Sequence, residues 1–233
     1  AINYDSLATI DDSSCTYQMT YVPDDNFEQA LINLGYDNVL DDSVLTPNIN
    51  TVTNLYLNND SIADLTGIEE FTALTVLQCA DNQLTTLDLS NNIYLTEFWC
   101  FNNQLTTLDV SNNTSLTVLT CSNNQLTTLD VSQNTALTVL ECADNQLTTL
   151  DVSQNTVLHT LWCYNNQLTS LDVRNGNNMA FIDFYSYNNP NLYCIDVDNP
   201  SWSTANWTNI DPWSSFSSNC ATAFGCTDSL ASN

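Results

Sequence analysis

Apolar residues recur along this chain with a period of 21. From Leu74, Leu95, Leu116, Leu137 and Leu158, each segment reads L-x-x-L-x-C-x-x-N-x-L-x-x-L-D, with Phe98 in one leucine slot. A degenerate copy lies upstream: Val52, Leu55 and Leu57, then Asp60 in the asparagine slot, then Ile62. Another starts at Met179 with Ile182 and Phe184, and its register slips by about three residues before Leu192 and Ile195. No single segment of this length can bury its own apolar side, so the pattern predicts stacked coils sharing one core. The L-x-L or L-x-C tripeptide predicts a short parallel strand in each coil, with neighbours about 4.8 Å apart. The asparagine row, Asn82, Asn103, Asn124, Asn145 and Asn166, is expected to turn inward and satisfy backbone groups where the chain leaves the strand. The Leu-Thr-Thr-Leu-Asp-Val-Ser stretch alternates too, which predicts a second short strand on the outer face.

This is the leucine-rich-repeat template, with cysteine in the third apolar slot. The expected fold is a β-rich leucine-rich-repeat solenoid of 21-residue coils, with an N-terminal helical cap and an irregular aromatic C-terminal cap. A helix is predicted over 24–34, after Pro23: Asp25 and Glu28 form a capping-box pattern and Gly35 ends it. Phe27, Ala30, Leu31 and Leu34 sit at helical spacing to cover the first coil. At the other end Trp202, Trp207, Trp213 and Phe216 stand among Ser, Thr, Asn and Pro, either as a cap over the last coil or as an aromatic sugar site. The expected divisions are 1–19 (one half of a junction module), 20–51 (N-terminal cap), 52–197 (solenoid of about seven coils), 198–220 (C-terminal cap) and 221–233 (the other junction half).

Charge narrows the partners. Asp and Glu number 27 against a single cation, Arg174, for a net charge of −26. Nucleic acid is excluded because phosphate binding needs cations, and an anionic membrane surface would repel the chain. No apolar run approaches the ~20 residues that span a bilayer, so membrane insertion is not expected. Only 12% of residues are charged and 43% are hydrophobic, which is not the composition of a disordered acidic tail.

The blocks Tyr21-Val22-Pro23-Asp24-Asp25-Asn26-Phe27 and Asp64-Leu65-Thr66-Gly67-Ile68, with the Asn-Gln-Leu-Thr-Thr-Leu-Asp-Val-Ser repeats, resemble secreted leucine-rich-repeat proteins of Bacteroidetes-type bacteria. The stretch Cys194-Ile195-Asp196-Val197 to Trp207 is similar to their end cap. The resemblance spans 20–220 and implies an exported, surface-exposed, non-enzymatic module, without fixing its ligand. The two ends, Phe224-Gly225-Cys226-Thr227-Asp228 and Ala1 through Asp11-Asp12-Ser13-Ser14-Cys15, look like halves of one G-C-T-D…D-D-x-S-C module from large surface proteins of the same bacteria. The chain then reads as one period of a tandem array whose partners are neighbouring copies of itself, end to end.

Nine cysteines divide into two sets. Cys79, Cys100, Cys121, Cys142 and Cys163 occupy core slots and are expected to be reduced, buried, small hydrophobes. Cys194 and Cys220 bracket the C-terminal cap and are expected to pair. Cys15 and Cys226 belong to opposite ends, more than about 30 Å apart in such a solenoid. Each is expected to pair with a neighbouring copy.

Leucine-rich-repeat binding sites usually lie on the concave strand face. Here Trp99 with Phe101 and Trp162 with Tyr164 are expected there as two exposed aromatic pairs, three coils or about 14 Å apart. Glu97, Thr120, Glu141 and His159 surround them, and the ligand would be a surface glycan or a protein. His159 fills a slot otherwise held by Thr and has no nucleophile and acid converging on it, so no catalysis and no organic cofactor are expected. Asp88, Asp109, Asp130, Asp151 and Asp172 form an acidic row, read as turn caps with divalent-cation binding as the alternative. Asp5, Asp11, Asp12 and Asp228 are the better Ca²⁺ candidates. Ser6, Ser43, Ser61 and Ser229 stand in Asp-Ser-aliphatic triplets that resemble an O-glycosylation signal of the same bacteria. The leading expectation is an extracellular repeat for adhesion or for building a filament or stalk. A stand-alone recognition module is the alternative, and ice binding by the rows at Thr85 and Thr86 and their repeats is a third.

Overall fold

A computed structural model describes residues 17–223. The N-terminal cap opens with β1 (Met19–Tyr21), antiparallel to β2 (Ser43–Leu45), with α1 (Asp25–Asn33) between them and the short α2 (Thr46–Ile49) after. The N-cap of α1 is Asp24, one residue before the expected capping box. Its Oδ1 accepts from the backbone N–H of Asn26 and Phe27, and its Oδ2 accepts from Ala63 and Asp64 of the first coil. One carboxylate thus starts the helix and fastens it to the solenoid. Glu28 does not complete a capping box. It is buried and accepts from the N–H groups of Asp41, Asp42 and Ser43, the returning strand. Phe27, Ala30 and Leu31 face the core as expected, whereas Leu34 caps the helix C-terminus and stays exposed, because Gly35 turns the chain away at φ +83°. Gly67 has a different reason to be glycine. Its φ is +106°, and a Cβ there would come within 2.8 Å of the Tyr21 carbonyl oxygen, where the cap crosses the first coil.

Seven short parallel strands then stack into one sheet. They are β3 (Asn54–Tyr56), β4 (Val76–Gln78), β5 (Glu97–Trp99), β6 (Val118–Thr120), β7 (Val139–Glu141), β9 (Thr160–Trp162) and β11 (Asp183–Tyr185). The middle residue of each points into the core: Leu55, Leu77, Phe98, Leu119, Leu140, Leu161 and Phe184 pair rung by rung. The five periodic cysteines form a second buried column beside them. Truncating any one of the leucines would cost about 2–5 kcal/mol, because the rungs above and below fix the shape of the hole.

The second, outer sheet holds β8 (Thr149–Asp151), β10 (Ser170–Asp172), β12 (Cys194–Asp196) and β13 (Ser215–Ser217), all parallel. In the earlier coils the equivalent Thr-Leu-Asp segments run without strand pairing, so the expected outer strand forms only toward the C-terminal end.

The asparagine row is buried as expected. Asn124 is typical: its Nδ2 donates to the carbonyls of Cys100, Cys121 and Ser122, and its Oδ1 accepts from Leu105 N–H. A second buried asparagine column was not anticipated. Asn92, Asn113, Asn134 and Asn155 each donate to two carbonyls of the preceding coil, at the turn before the next strand.

After Arg174 the repeat lengthens. Phe184 pairs with Leu161 at an offset of 23, so Phe181 fills the first apolar slot, Ser186 the cysteine slot and Asn189 the asparagine slot. Met179 and Ile182, expected inside, are 68% and 75% exposed. The C-terminal cap is not wholly irregular. It contains α3 (Pro200–Asn206), β13 and α4 (Cys220–Ala223), and its rings stack: Phe184 on Trp207 at 4.1 Å, with Phe181, Trp202 and Phe216 edge-on to Trp207. Of the expected tryptophans, Trp213 is 47% exposed and stands apart from this cluster. The buried Asp211 carboxylate accepts from Asn188 and Asn189 N–H and closes the stack. Cys194 and Cys220 form the expected disulfide.

Candidate functional site

On the seven-stranded face, the residue after each buried leucine or phenylalanine points outward. In register these are Tyr56, Gln78, Trp99, Thr120, Glu141, Trp162 and Tyr185. Two residues further along each coil lie Ala80, Phe101, Ser122, Ala143, Tyr164 and Tyr187. Backbone hydrogen bonds hold this second row in step: Asp81 donates to Phe101, Asn102 to Ser122, Asp144 to Tyr164 and Asn165 to Tyr187. The sequence-predicted residues therefore do share one surface.

Their arrangement differs from two exposed pairs. Trp99, Phe101, Trp162 and Tyr164 are half-buried, and the ring contacts run between coils instead of along them. Trp162 meets Tyr185 edge-on at 5.6 Å, and Tyr164 stacks on Tyr187 at 4.8 Å with planes 6° apart. Tyr185 and Tyr187 were missed because the lengthened repeat moves them to an offset of 23 from Trp162 and Tyr164. Among the described residues Tyr56, Trp99 and Phe101 have no ring partner, so the paired rings of this face lie at the C-terminal end of the sheet. The Nε1 atoms of Trp99 and Trp162 are buried without an acceptor. Each indole therefore shows carbon to solvent and keeps its N–H inward.

Charge on this face is negative. Burial pushes the Glu141 carboxyl up from its ordinary value. The Tyr164 phenol is also raised, by burial first and then by Asp144, Tyr187 and Glu141. Glu97 begins β5, beside Val76 and Val118 of the flanking strands. Thr120 is buried between the Trp99 and Glu141 positions. His159 sits at the sheet edge with its Nδ1 3.2 Å from the Thr160 hydroxyl. It interrupts a column in which Thr75, Thr96, Thr117 and Thr138 each donate a hydroxyl to the preceding coil's carbonyl.

The acidic row lies elsewhere and caps turns. Asp88, Asp109, Asp130 and Asp151 accept from Ser90, Ser111, Ser132 and Ser153 N–H, and Asp172 accepts from Arg174 N–H. Hydrogen bonds from these serines lower the pKa of Asp88, Asp109 and Asp130. Asp172 is lowered too, against burial, by its bonds to Arg174. Arg174 forks onto Asp172 and reaches Asp196 at 3.7 Å and the Ser218 carbonyl at 3.2 Å, joining the last coils to the cap. A polar concavity of about 450 Å³ flanks this row, between Asp64, Glu69 and Asp88. Among the described residues no group of three or more His, Cys, Asp or Glu is gathered to hold a metal.

A third column runs along the exposed turn. Asp81, Asn102, Asn123, Asp144, Asn165 and Asn188 all have positive φ, where Asn and Asp are tolerated best. Asn102 donates to Asp81, Asn123 to Asn102, Asn165 to Asp144 and Asn188 to Asn165, at 2.6–2.7 Å.

Burial pushes the thiols of Cys79, Cys121 and Cys163 up to about 12, and those of Cys100 and Cys142 also well above the ordinary value. They are inert protonated core groups. Of the glycosylation candidates, Ser61 is exposed on a positive-φ turn, whereas Ser43 is half-buried with its hydroxyl donated to Asp41. Ser6, Ser229, Cys15, Cys226, Asp5, Asp11, Asp12 and Asp228 lie outside the described residues.

Comparison with known proteins places this architecture. The functional domain of InlJ from Listeria monocytogenes, described as including a cysteine ladder, superposes with a TM-score of 0.51 at 32% identity, over 80% of this chain and 54% of that one. An internalin, inlF, from the same species superposes with a TM-score of 0.62 at 20% identity, over 84% of this chain and 71% of that one. The fold is that of the leucine-rich-repeat proteins. In sequence, 72 residues of this leucine-rich-repeat chain are 46% identical to Internalin J of L. monocytogenes, which is 31% of this chain and 8% of that protein. The chain therefore spans a small part of the curated relative it matches. The LVIVD repeat model matches residues 100–121, one period from Cys100 to Cys121. No helix among the described residues is long and apolar enough to cross a membrane.

Proposed function

We propose that this is an extracellular, non-enzymatic recognition module of a surface protein, and that it binds its partner on the seven-stranded face. The observation that carries this is a four-ring cluster made of two ring pairs, Trp162 with Tyr185 and Tyr164 with Tyr187, on adjacent rows at one end of that face. Polar side chains elsewhere in the repeat are largely engaged, the asparagine and threonine columns with the preceding coil and the aspartate row with its own turns. These half-buried rings stand outside that hydrogen-bond network, and Trp and Tyr are enriched among the residues that dominate recognition surfaces. The Cys194–Cys220 disulfide fits an oxidising exterior, and the similarity to Internalin J supports a surface role. The test is adhesion. Trp162→Ala should abolish attachment of the purified protein to its target cells or matrix, while Asp109→Asn on the outer turns should leave it intact. Equal attachment by both variants would refute the strand-face site.

The second part of the proposal is a place in a longer surface array, serving adhesion or building a stalk. It is motivated by the resemblance of the two terminal segments to one split module. Mass spectrometry of a two-copy protein is expected to find Cys226 of one copy joined to Cys15 of the next. A Cys15–Cys226 bond within a single copy would defeat it.

A further inference from the structure

We infer that the four-ring cluster takes a cationic side chain, Lys or Arg, from a basic segment of a partner protein. This rests on the strand-face reading above and names the chemistry of its ligand. Three observations point to a cation. First, the rings offer faces. Tyr164 and Tyr187 stack within 6° of parallel, and the Trp162 Nε1 is buried, so the indole gives solvent no donor. A ring face carries negative quadrupolar charge and attracts ammonium or guanidinium groups, Arg above all. A glycan would draw on hydrogen-bond donors, and here the indole N–H groups are buried and the Tyr185 hydroxyl is directed at Asp183.

Second, carboxylates surround the rings. Glu141 is the register partner of Trp162 on one side, and Asp183 opens β11 on the other, within reach of the Tyr185 hydroxyl at 3.4 Å. The Asp144 carboxylate, which accepts from Asn165, lies near enough to act on the Tyr164 phenol. Third, the protein has no Lys and one Arg to give them. That residue, Arg174, is committed to Asp172 and Asp196 of the outer sheet. Half-buried Glu141 lacks an ion-pair partner among the described residues, and an arriving guanidinium would offset its desolvation. The net charge of −26 would steer a basic partner toward the molecule, and the rings decide where it docks.

Exposed aliphatic residues flank the strands that carry the rings. Val157, Met179 and Ile182 are 47%, 68% and 75% exposed, and Ile182 N–H donates to the His159 carbonyl, three residues before Trp162. A polypeptide can cover that rim while its basic side chain enters the cluster, which favours a protein segment over a small cation.

The test uses a fluorescein-labelled hexa-arginine peptide at about 0.15 M salt, read by fluorescence polarisation. The controls are the same peptide with citrulline in place of arginine, and a neutral hexasaccharide. Citrulline keeps the shape and loses the charge, and its peptide should bind at least about tenfold more weakly. Tyr187→Leu and Glu141→Gln should each lower hexa-arginine affinity about fivefold or more. Tyr187→Phe, which keeps the ring, should retain it, and guards against misfolding of the leucine variant. Asp88→Asn with Asp109→Asn removes two charges from the outer turns and should change affinity less than about twofold. The inference is overturned if that remote pair weakens binding as much as Glu141→Gln, since attraction would then be diffuse. It is also overturned if the citrulline peptide or the hexasaccharide binds as tightly as hexa-arginine. Should Trp162→Ala abolish adhesion while hexa-arginine ignores the cluster, the cation is wrong and the strand-face site stands. Indifference in both assays removes both.

Discussion

The regular coils from Leu74 to Asp172 and the coil that follows them follow the same path with different discipline. In the regular part every third or fourth side chain answers to its counterpart one period away. Leucine meets leucine, Asn reaches back to the previous coil's carbonyls, and each Asp closes its own turn. In the following coil the spacing stretches to 23, the cysteine slot holds Ser186, and apolar Met179 and Ile182 face solvent. The rings of Tyr185 and Tyr187 arrive at the strand face in that same coil. Repetition binds side chains to one another, and the proposed partner surface lies where repetition lapses.

The sharpest way to break this contrast is through the buried amides. Asn124→Ala strands Leu105 N–H in the core, takes one of two donors from each of the Cys100, Cys121 and Ser122 carbonyls, and should cost about 2–4 kcal/mol, lowering the whole urea transition. Asn189→Ala, at the edge of the array, should instead loosen the C-terminal coil first, because stacked repeats couple mainly to their neighbours. Hydrogen exchange resolved by segment separates the two outcomes. Opening the Cys194–Cys220 bond, which spans 26 residues, should cost about 3.5 kcal/mol by loop entropy, again at the C-terminal end. If reduction lowers protection uniformly across the solenoid, the two regions are not separable as described.

Smaller effects sharpen the regular part. The five ladder thiols should stay unreactive to an aromatic disulfide reagent until denaturant is added, and Cys121→Ser should cost about 1–3 kcal/mol by burying an unpaired hydroxyl. Rapid labelling of the native protein would show the column to be open. Smallest is the acid response. The folded pKa values of Asp88, Asp109 and Asp130 are depressed by serine hydrogen bonds. Their stabilisation is therefore present above the unfolded value of about 3.9 and lost as pH falls through the folded values. Glu141 acts in the opposite sense. Its folded pKa is raised, so protonation on acidification relieves a penalty before the turns fail. Melting temperatures between pH 6 and pH 3 should be nearly level at first and then drop, and Asp109→Asn should flatten the drop slightly.

The coil path, the cysteine column and the Asn82-to-Asn166 row were legible in the sequence because each recurs at an unbroken period. The second asparagine column recurs just as regularly at Asn92, Asn113, Asn134 and Asn155. It was read past because Ser-Asn-Asn and Ser-Gln-Asn look like exposed turns, and burial there depends on the preceding coil's free carbonyls. Tyr185 and Tyr187 escaped for the reverse reason. Their slots are set by the lengthened turn after Arg174, and no pattern within one coil shows which rings stack across two. The helix position was legible, but its cap was not. Asp24 and Asp25 are equivalent as letters, and only the N–H groups of Ala63 and Asp64 distinguish them.

The exposed amide column carries one more consequence. An asparagine side chain both donates and accepts, so it passes the hydrogen-bond chain onward, whereas a carboxylate only accepts. Asp81 and Asp144 therefore end two separate strings, each followed by two asparagines. The two aspartates are 63 residues apart, and so are Gln78 and Glu141, Trp99 and Trp162, and Phe101 and Tyr164. The unit that copies itself in this chain is thus also a triplet of coils, with its own start signal and one aromatic rung. A solenoid lengthened by that triplet would gain a tryptophan at each step, about 14 Å from the last. Insertions of a single coil would instead throw the tryptophans and the string ends out of phase.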